Sequence, residues 1–517
     1  MMTKHFSLWQ FFTMLLVFWG ISLLIPAKSE MLFMLNFIGA GCLLILFNPV
    51  KLSFNRCFVL SICFFLCILF LFFIPPKAYA IWLFLLLVVL DYFLNRPSIT
   101  IREGTLLIVS VAGFFNLSFV SATAFNDVQY DIASCYNYIE YILDNHFLFW
   151  HENPLLTRPS YSSYHPILHF FIAALGIYGG EWLHFSREAA TEAVQVFFVC
   201  YMFWYGLICS KILSFFKFEK TTHLTLLAFI VCFPLYRAIS GFFNNDCLLL
   251  PLQAATVYYS LLYWRDGGRK NLMLIFVYAT LASLTKLSGI LVLPVTALAL
   301  LLRLINTKDK KTLYDEIVFG VCLLLGLSIW PIYQHLMLHV GFSYVPPQTH
   351  LTLENYSLWE RFSPLGAFVY DKMFYNDFGI NLWETMTKTA LFGQWDFSYR
   401  GQDIMLFIKA LILSYKFIIA TVILAFVYLF FKTDEKPLYW FTTVLILSLL
   451  AGQIAFGLKH PYMCNQDFRY VALLPLGFAL ILGQFSAKLK PIVKNVLLVF
   501  VDIFSLLSLF VWQFVLL

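Results

Sequence analysis

Residues 410–431 read ALILSYKFIIATVILAFVYLFF, a continuous apolar run whose single charge is Lys416. A helix needs about 20 predominantly apolar residues to cross the hydrocarbon core of a bilayer. Inside lipid, a helix pairs every backbone N–H and C=O group within itself. Strands of a membrane β-barrel alternate between apolar and polar residues instead, and this run does not alternate. We therefore predict a membrane-spanning helix here.

Comparable apolar blocks recur along the whole chain of 517 residues, of which 61% are hydrophobic and only 12% charged. A soluble protein would carry about 25% charged residues. We expect an all-α polytopic membrane protein with about 15 transmembrane helices and a lipid bilayer as its surroundings. The predicted spans are 8–26, 31–49, 57–75, 78–95, 104–121, 190–210, 222–239, 247–264, 271–285, 288–305, 316–336, 410–431, 438–457, 469–487 and 495–515.

The distribution of Lys and Arg predicts the orientation. The net charge of +6 comes from basic residues scattered over short loops, which argues against a nucleic-acid partner and is typical of cytoplasmic membrane loops. A cytoplasmic N-terminus makes every inside loop basic. The two long loops, roughly 122–189 and 337–409, then lie outside, and the first has only Arg158 and Arg187 against seven acidic residues.

The first external loop begins with two acidic residues, Asp127 and Asp131. Hydrophobic residues at helical spacing follow them, which predicts an amphipathic helix along the membrane surface. A carboxylate at its start can act as a general base towards an acceptor hydroxyl. It can equally cap the helix and favour its dipole. The spacing alone leaves both interpretations open.

The segment Tyr164-His165-Pro166-Ile-Leu-His169 stands before the next apolar stretch of the same loop. Pro166 suits the first turn of a helix. His165 and His169 would share one helix face, a spacing that permits a metal pair. No acidic residue is close in sequence, so polar anchors at the membrane interface are the alternative. We predict no metal site and no cofactor.

Three further polar positions fall on the predicted outer face. Asn245-Asp246 precedes an apolar helix, where both residue types are good N-caps. Lys286 stands in the tight turn between two spans, and Arg469, followed by Tyr470, stands at the mouth of another. Cations on this face depart from the positive-inside tendency, and binding of an anion such as phosphate would explain them.

In their order and sidedness, these motifs resemble the GT-C superfamily of glycosyltransferases that use polyprenyl-phosphate sugars, akin to bacterial protein mannosyltransferases and lipid A aminoarabinose transferases. The resemblance covers residues 104–487. The motifs that carry it are Tyr130-Asp131 with Tyr138-Ile-Glu-Tyr-Ile142, Tyr164-His165-Pro166, Asn245-Asp246, Leu284-Thr-Lys-Leu-Ser-Gly289, Lys388-Thr-Ala-Leu-Phe-Gly-Gln-Trp395 and Phe468-Arg469-Tyr470. The chain departs from the family in its four preceding spans, in Cys135 where many relatives have His, and in Ile167 where a second Pro is usual.

The resemblance implies a GT-C type helical bundle with juxtamembrane helices in the large external loops. Its parts would be N-terminal helices (1–103), a module with the catalytic loop 122–189 (104–336), a second external loop (337–409) and C-terminal helices (410–517). It also implies inverting transfer of a sugar from a polyprenyl-phosphate donor to an acceptor lipid, glycan or protein, outside a bacterial inner membrane. The implied roles are general base for Asp131, with Asp127 beside it; donor phosphate binding for Lys286 and Arg469; and substrate binding for Tyr164, His165, Asn245, Asp246 and Tyr470.

Two other function classes fit a polytopic protein with a large external loop. A glycan polymerase or ligase would centre its site on cationic and His residues in that loop, whereas this loop begins with acids. A transporter or flippase would place ionisable residues near the middle of the membrane, in repeated halves. Lys416 and Asp502 lie in or near apolar runs, but the sequence shows no repeat.

Overall fold

The computed structural model describes residues 100–122, 132–147, 164–241, 243–341, 344–346, 351–368, 379–393 and 402–512. The described residues form helices and connecting turns, without a strand. The α-helices are α1 (Ile101–Ala122), α2 (Ile132–Asp144), α3 (Leu168–Trp182), α4 (Arg187–Phe215), α5 (Lys220–Val231), α6 (Pro234–Gly241), α7 (Asp246–Asp266), α8 (Arg269–Thr285), α9 (Leu293–Thr307), α10 (Lys310–Tyr333), α11 (Leu358–Phe362), α12 (Leu382–Phe392), α13 (Gln402–Lys432), α14 (Lys436–Lys459), α15 (Leu474–Ser486) and α16 (Pro491–Phe510).

Seven helical stretches in the described ranges are long and apolar enough to cross a membrane. The number is nine if each of two bent pairs, α5 with α6 and the segment Met463–Val471 with α15, forms one span. The chain is therefore a multi-pass helical membrane protein. The total of about 15 spans stays a prediction, because the first four lie outside the described residues. From residue 104 onwards, each predicted span falls on helical segments of the structure as far as it is described, and the spans 222–239 and 469–487 each fall on two segments with a bend between them.

One end of the helix bundle gathers the basic loops, and we call it the basic end. Its loops contact one another through ion pairs: Lys494 with Glu219, Lys488 with Asp434, and Arg269 with Asp315. These loops lie far apart in sequence, so the contacts show that they share one end of the bundle. The connections that alternate with them, including residues 241–246 and 285–289, lie at the opposite end.

The core runs between the helices and is rich in aromatic side chains. α7 packs along α4, α8 and α9, while α1 packs against α4 and α5. Phe233, at the bend between α5 and α6, stacks on Phe468 with ring centroids 5.7 Å apart. This contact connects the middle of the bundle to the segment that carries Arg469 and Tyr470.

The first long loop contains the predicted amphipathic helix as α2. Its buried face carries Tyr138 and Ile142, whereas Asn137 and Asp144 are exposed. The ring of Tyr138 packs against Phe170 of α3 at a centroid distance of 5.1 Å. α2 is therefore held against the bundle through α3.

Candidate functional site

A buried ion pair joins two of the sequence-predicted site residues. The Nζ of Lys286 donates a hydrogen bond of 2.6 Å to Oδ1 of Asp246. The side chain of Asp246 is 0% exposed and that of Lys286 is 8% exposed. Asp246 begins α7 and Lys286 follows α8, so the pair closes the end of this helix hairpin. We call Asp246, Lys286 and Tyr470, whose ring contacts Lys286, the polar cluster.

The side chains of Asn244 and Asn245 both make hydrogen bonds in the turn before α7. The side-chain oxygen of Asn244 accepts a hydrogen bond of 2.9 Å from the Asp246 backbone N–H. Asn245 makes no capping bond with its side chain, which instead donates to the carbonyl of Thr285 at 3.1 Å. The expected capping role therefore falls to Asn244. Asn245 and Asp246 hold the turn that carries Lys286.

The turn at Lys286 has little freedom. Its backbone is extended (φ −159°, ψ 141°), between the end of α8 and the 3₁₀ helix Leu287–Val292. Gln253 of α7 donates to the carbonyl of Ser288 at 2.9 Å. Gly289 lies directly against the α8 backbone, where an added Cβ would be 2.5 Å from the carbonyl carbon of Ala282. Close packing of the two segments thus fixes the position of Lys286.

Tyr470 forms the outer side of the polar cluster. The Lys286 ammonium lies 4.7 Å from the centroid of its ring, a cation–π contact. The ring also packs on Phe456 of α14 at a centroid distance of 5.0 Å. Tyr470 and its neighbour Arg469 are partly exposed, unlike Asp246. A molecule from outside therefore meets these two side chains first.

Arg469 has a carboxylate partner from its own segment. Oδ2 of the buried Asp467 accepts from Arg469 Nε at 2.9 Å, and Oδ1 accepts from the Arg469 backbone N–H, also at 2.9 Å. The backbone N–H of Phe468, which stands between Asp467 and Arg469, donates a hydrogen bond of 2.8 Å to the side-chain hydroxyl of Thr389 in α12. This contact ties the segment to the Lys388–Trp395 motif of the sequence. Arg469 is therefore held in a defined place at the same end of the bundle.

Tyr164 and His165 lie beside a different element. The carbonyl of Tyr164 accepts a hydrogen bond of 3.3 Å from the side chain of Gln334, which follows α10. The Tyr164 ring packs against the ring of His165. The described contacts do not join them to the polar cluster. His169 comes closer, because its Nδ1 lies 3.9 Å from the Sγ of Cys247 in the first turn of α7. Burial lowers the pKa of His169 to about 3, so its imidazole is neutral.

The two predicted acids, Asp127 and Asp131, lie outside the described residues. The helix that follows Asp131 does reach the site. α2 begins at Ile132, and the ring of Tyr136, in its second turn, packs edge-on against Phe243 at a centroid distance of 6.4 Å. Phe243 belongs to the turn that leads into Asp246. The N-terminal half of α2 is thus a neighbour of that turn.

The carboxylate partners of Lys286 and Arg469 were not predicted from the sequence. Each has a carboxylate within hydrogen-bond distance, because a buried charge without a partner is costly. Sequence reasoning missed Asp467 as the partner of Arg469, although it stands two positions away. It also treated Asp246 and Lys286 separately. Their placement at the same predicted end of two consecutive helices was the available signal for a pair.

The arrangement offers both donors and acceptors to a ligand. The Lys286 ammonium has three N–H donors, of which Asp246 takes one. α7 directs its N-terminus, with a partial positive charge, at Asp246 and partly offsets the carboxylate. Among the described residues, no group of three or more His, Cys, Asp and Glu side chains is arranged to hold a metal ion.

Comparison with known proteins gives no assignment. No model of a known protein family matches this sequence, and no curated protein matches it significantly.

Proposed function

We propose that this protein is a membrane glycosyltransferase that moves a sugar from a polyprenyl-phosphate donor to an acceptor on the non-cytoplasmic side. The observation that carries the proposal is the polar cluster. Asp246, Lys286 and Tyr470 come from three separate motifs of the GT-C resemblance, and their side chains meet at one end of the bundle. A lipid-linked donor would present its phosphate at this end of a membrane protein.

In this proposal, Lys286 and Arg469 hold the donor phosphate. Negative charge grows on that phosphate as the bond between the anomeric carbon and the phosphate oxygen breaks. Cations fixed there favour the transition state over the ground state. The Asp246 partner keeps the Lys286 ammonium in place before the donor binds, and two of the three N–H donors of Lys286 remain for phosphate oxygens.

Asp131 would serve as the general base. Its carboxylate takes the proton of the acceptor hydroxyl while the acceptor oxygen attacks the anomeric carbon. The bonding electron pair leaves with the phosphate oxygen, and polyprenyl phosphate is released with inversion at the anomeric carbon. The contact of α2 with the turn before Asp246 supports this role.

Transport of a lipid-linked glycan is the second candidate, and buried or partly buried ionisable side chains in the bundle favour it. Lys416 of α13 interacts electrostatically with the buried Glu384 of α12. Asp502 of α16 accepts a hydrogen bond of 3.2 Å from Thr225 of α5. Ionisable residues within membrane spans often mark transport pathways.

Mass spectrometry of membrane lipids and surface glycans, from cells with and without the gene, tests the proposal. A transferase predicts that one polyprenyl-phosphate sugar accumulates without the gene and that one surface glycan loses that sugar. Purified protein in liposomes should also release polyprenyl phosphate from this lipid when an acceptor is added. Movement of the intact lipid between leaflets, without its cleavage, would favour transport instead.

A further inference from the structure

The two oxygens of the buried Asp246 carboxylate differ in their hydrogen bonding within the described structure. Oδ1 accepts the hydrogen bond from Lys286 at 2.6 Å. The Asp246 backbone N–H is engaged by the side chain of Asn244. Oδ2 is enclosed and finds no hydrogen-bond donor among the described residues. A buried polar atom left without a partner is destabilising, and more so when it is charged. Such an atom needs an explanation.

The chemistry of Asp246 Oδ2 determines which kind of group can form a hydrogen bond with it. A carboxylate oxygen only accepts hydrogen bonds, so its partner must bring an O–H or N–H donor. The nearest cation, Lys286, is already bound to Oδ1 and stacked on Tyr470. The phosphate of the glycosylated donor is an ionised diester and has no proton to donate. The group that completes Oδ2 is therefore different from the one that Lys286 would hold.

We propose that Asp246 Oδ2 accepts a hydrogen bond from a hydroxyl of the transferred sugar, on the same donor whose phosphate Lys286 holds. The inference rests on the proposed function and assigns Asp246 as a specificity-determining residue. Because Lys286 is bound to the other oxygen of this carboxylate, three hydrogen bonds and the width of one carboxylate separate the two ligand groups, which would therefore lie at most about 10 Å apart. A phosphate and a hydroxyl of the sugar linked to it meet that requirement.

The binding experiment uses the purified full-length protein in phosphatidylcholine nanodiscs. The probes are undecaprenyl phosphate and its glucosyl, mannosyl and galactosyl forms, with the dissociation constant of each as the readout. We expect at least one glycosylated probe to bind about tenfold or more tightly than the bare phosphate, as one hydrogen bond to a charged group would give. In Asp246→Asn, the ratio of the dissociation constant of the bare phosphate to that of this glycosylated probe should fall to about one. In Lys286→Gln, binding of all four probes should weaken.

Asp467 provides a matched control, because it is an equally buried carboxylate with both oxygens bonded to Arg469. Because Asp467 holds Arg469 in place, Asp467→Asn should weaken the binding of all four probes by a similar factor. The ratio of their dissociation constants should stay as in wild type. Asp246→Asn can fail to fold, because it leaves a buried ammonium without its partner. The double variant Asp246→Asn, Lys286→Gln removes both charges, and it should fold while losing both the ratio and the phosphate affinity.

Three results would overturn the inference. One is equal binding of the bare and all glycosylated probes by wild type. Another is an unchanged ratio in a folded Asp246 variant. A phosphatidylglycerol headgroup also joins a phosphate to hydroxyls, so displacement of the glycosylated probe by phosphatidylglycerol, but not by phosphatidylcholine, would assign the site to a headgroup. If Asp246→Asn abolishes the preference for the glycosylated probe but the wild-type protein transfers sugar to no acceptor, the proposed transferase activity would be refuted and the assignment of Asp246 to a sugar-binding site would stand.

Discussion

At the residue scale, the pair Asp246–Lys286 can serve folding, ligand binding or both. Each side chain is almost completely buried, and removing one partner of such a pair typically costs about 3–5 kcal/mol. A loss of activity in a single variant is therefore ambiguous. The swapped variant Asp246→Lys, Lys286→Asp separates the two roles, because it keeps an ion pair and moves the ammonium away from its place beside Tyr470.

We expect the swapped variant to recover part of the thermal stability that Lys286→Ala loses. Recovery is incomplete because a cation at the N-terminus of α7 opposes the helix dipole, at a cost of about 0.3–1 kcal/mol. Sugar transfer should stay at least about 100-fold below wild type, as expected when a fixed charge is removed from a transition state. The melting temperature and the initial rate against donor concentration are the measurements. Wild-type kinetics in the swapped protein would leave the pair with a structural role alone.

Asp131 should matter more to activity than Asp127. As a general base, its replacement in Asp131→Asn should reduce the rate about 100-fold or more with normal protein abundance. A helix cap would instead cost about 1 kcal/mol and appear as a lower protein level. Initial rates and abundance of Asp131→Asn and Asp127→Asn, compared side by side, test this. A fully active Asp131→Asn with an inactive Asp127→Asn would move the base by one turn.

At the element scale, Gly289 allows the turn with Lys286 to pack against α8. In Gly289→Ala, the new Cβ would meet three backbone atoms of Ala282 and Ser283 at 2.5–2.9 Å, and backbone has little room to move aside. We expect a destabilisation of about 1–3 kcal/mol and weaker donor binding as Lys286 shifts. Gly320 of α10 has open space at the same position and is the control. Equal melting temperatures of Gly289→Ala and Gly320→Ala would contradict the packing argument.

The elements were largely predictable from the sequence, and the contacts between them were not. Many helices of this protein correspond to apolar runs of membrane-spanning length in the sequence. The length and position of these runs were therefore enough to locate α13 and its neighbours. The pair of Asp246 with Lys286 depends on how two helices turn about their axes, which hydropathy does not encode. The Asn245 side chain illustrates the same limit: a residue at a helix start suggests a cap, but here tertiary contact with Thr285 takes the side chain instead.

At the scale of the whole molecule, charge and geometry divide the bundle in the same way. The loops rich in Lys and Arg contact each other at the basic end, as Arg269 does with Asp315 and Lys494 with Glu219. The polar cluster lies at the other end. Positive loops stay in the cytoplasm in most membrane proteins, so this division predicts that the polar cluster faces outside.

Reporter fusions after Arg56, Asn145 and Lys311 test the orientation of the whole chain. We expect the fusions after Arg56 and Lys311 to report from the cytoplasm and the fusion after Asn145 from the outside, with an external C-terminus. Asn145 follows α2, the helix that packs on the turn before Asp246, so its side of the membrane is also that of the polar cluster. Lys311 lies in the first turn of α10, at the basic end, and serves as the internal reference for the opposite side. Cytoplasmic labelling at position 145 would place the cluster on the wrong side for a donor presented outside, and would refute the orientation and the proposed reaction together.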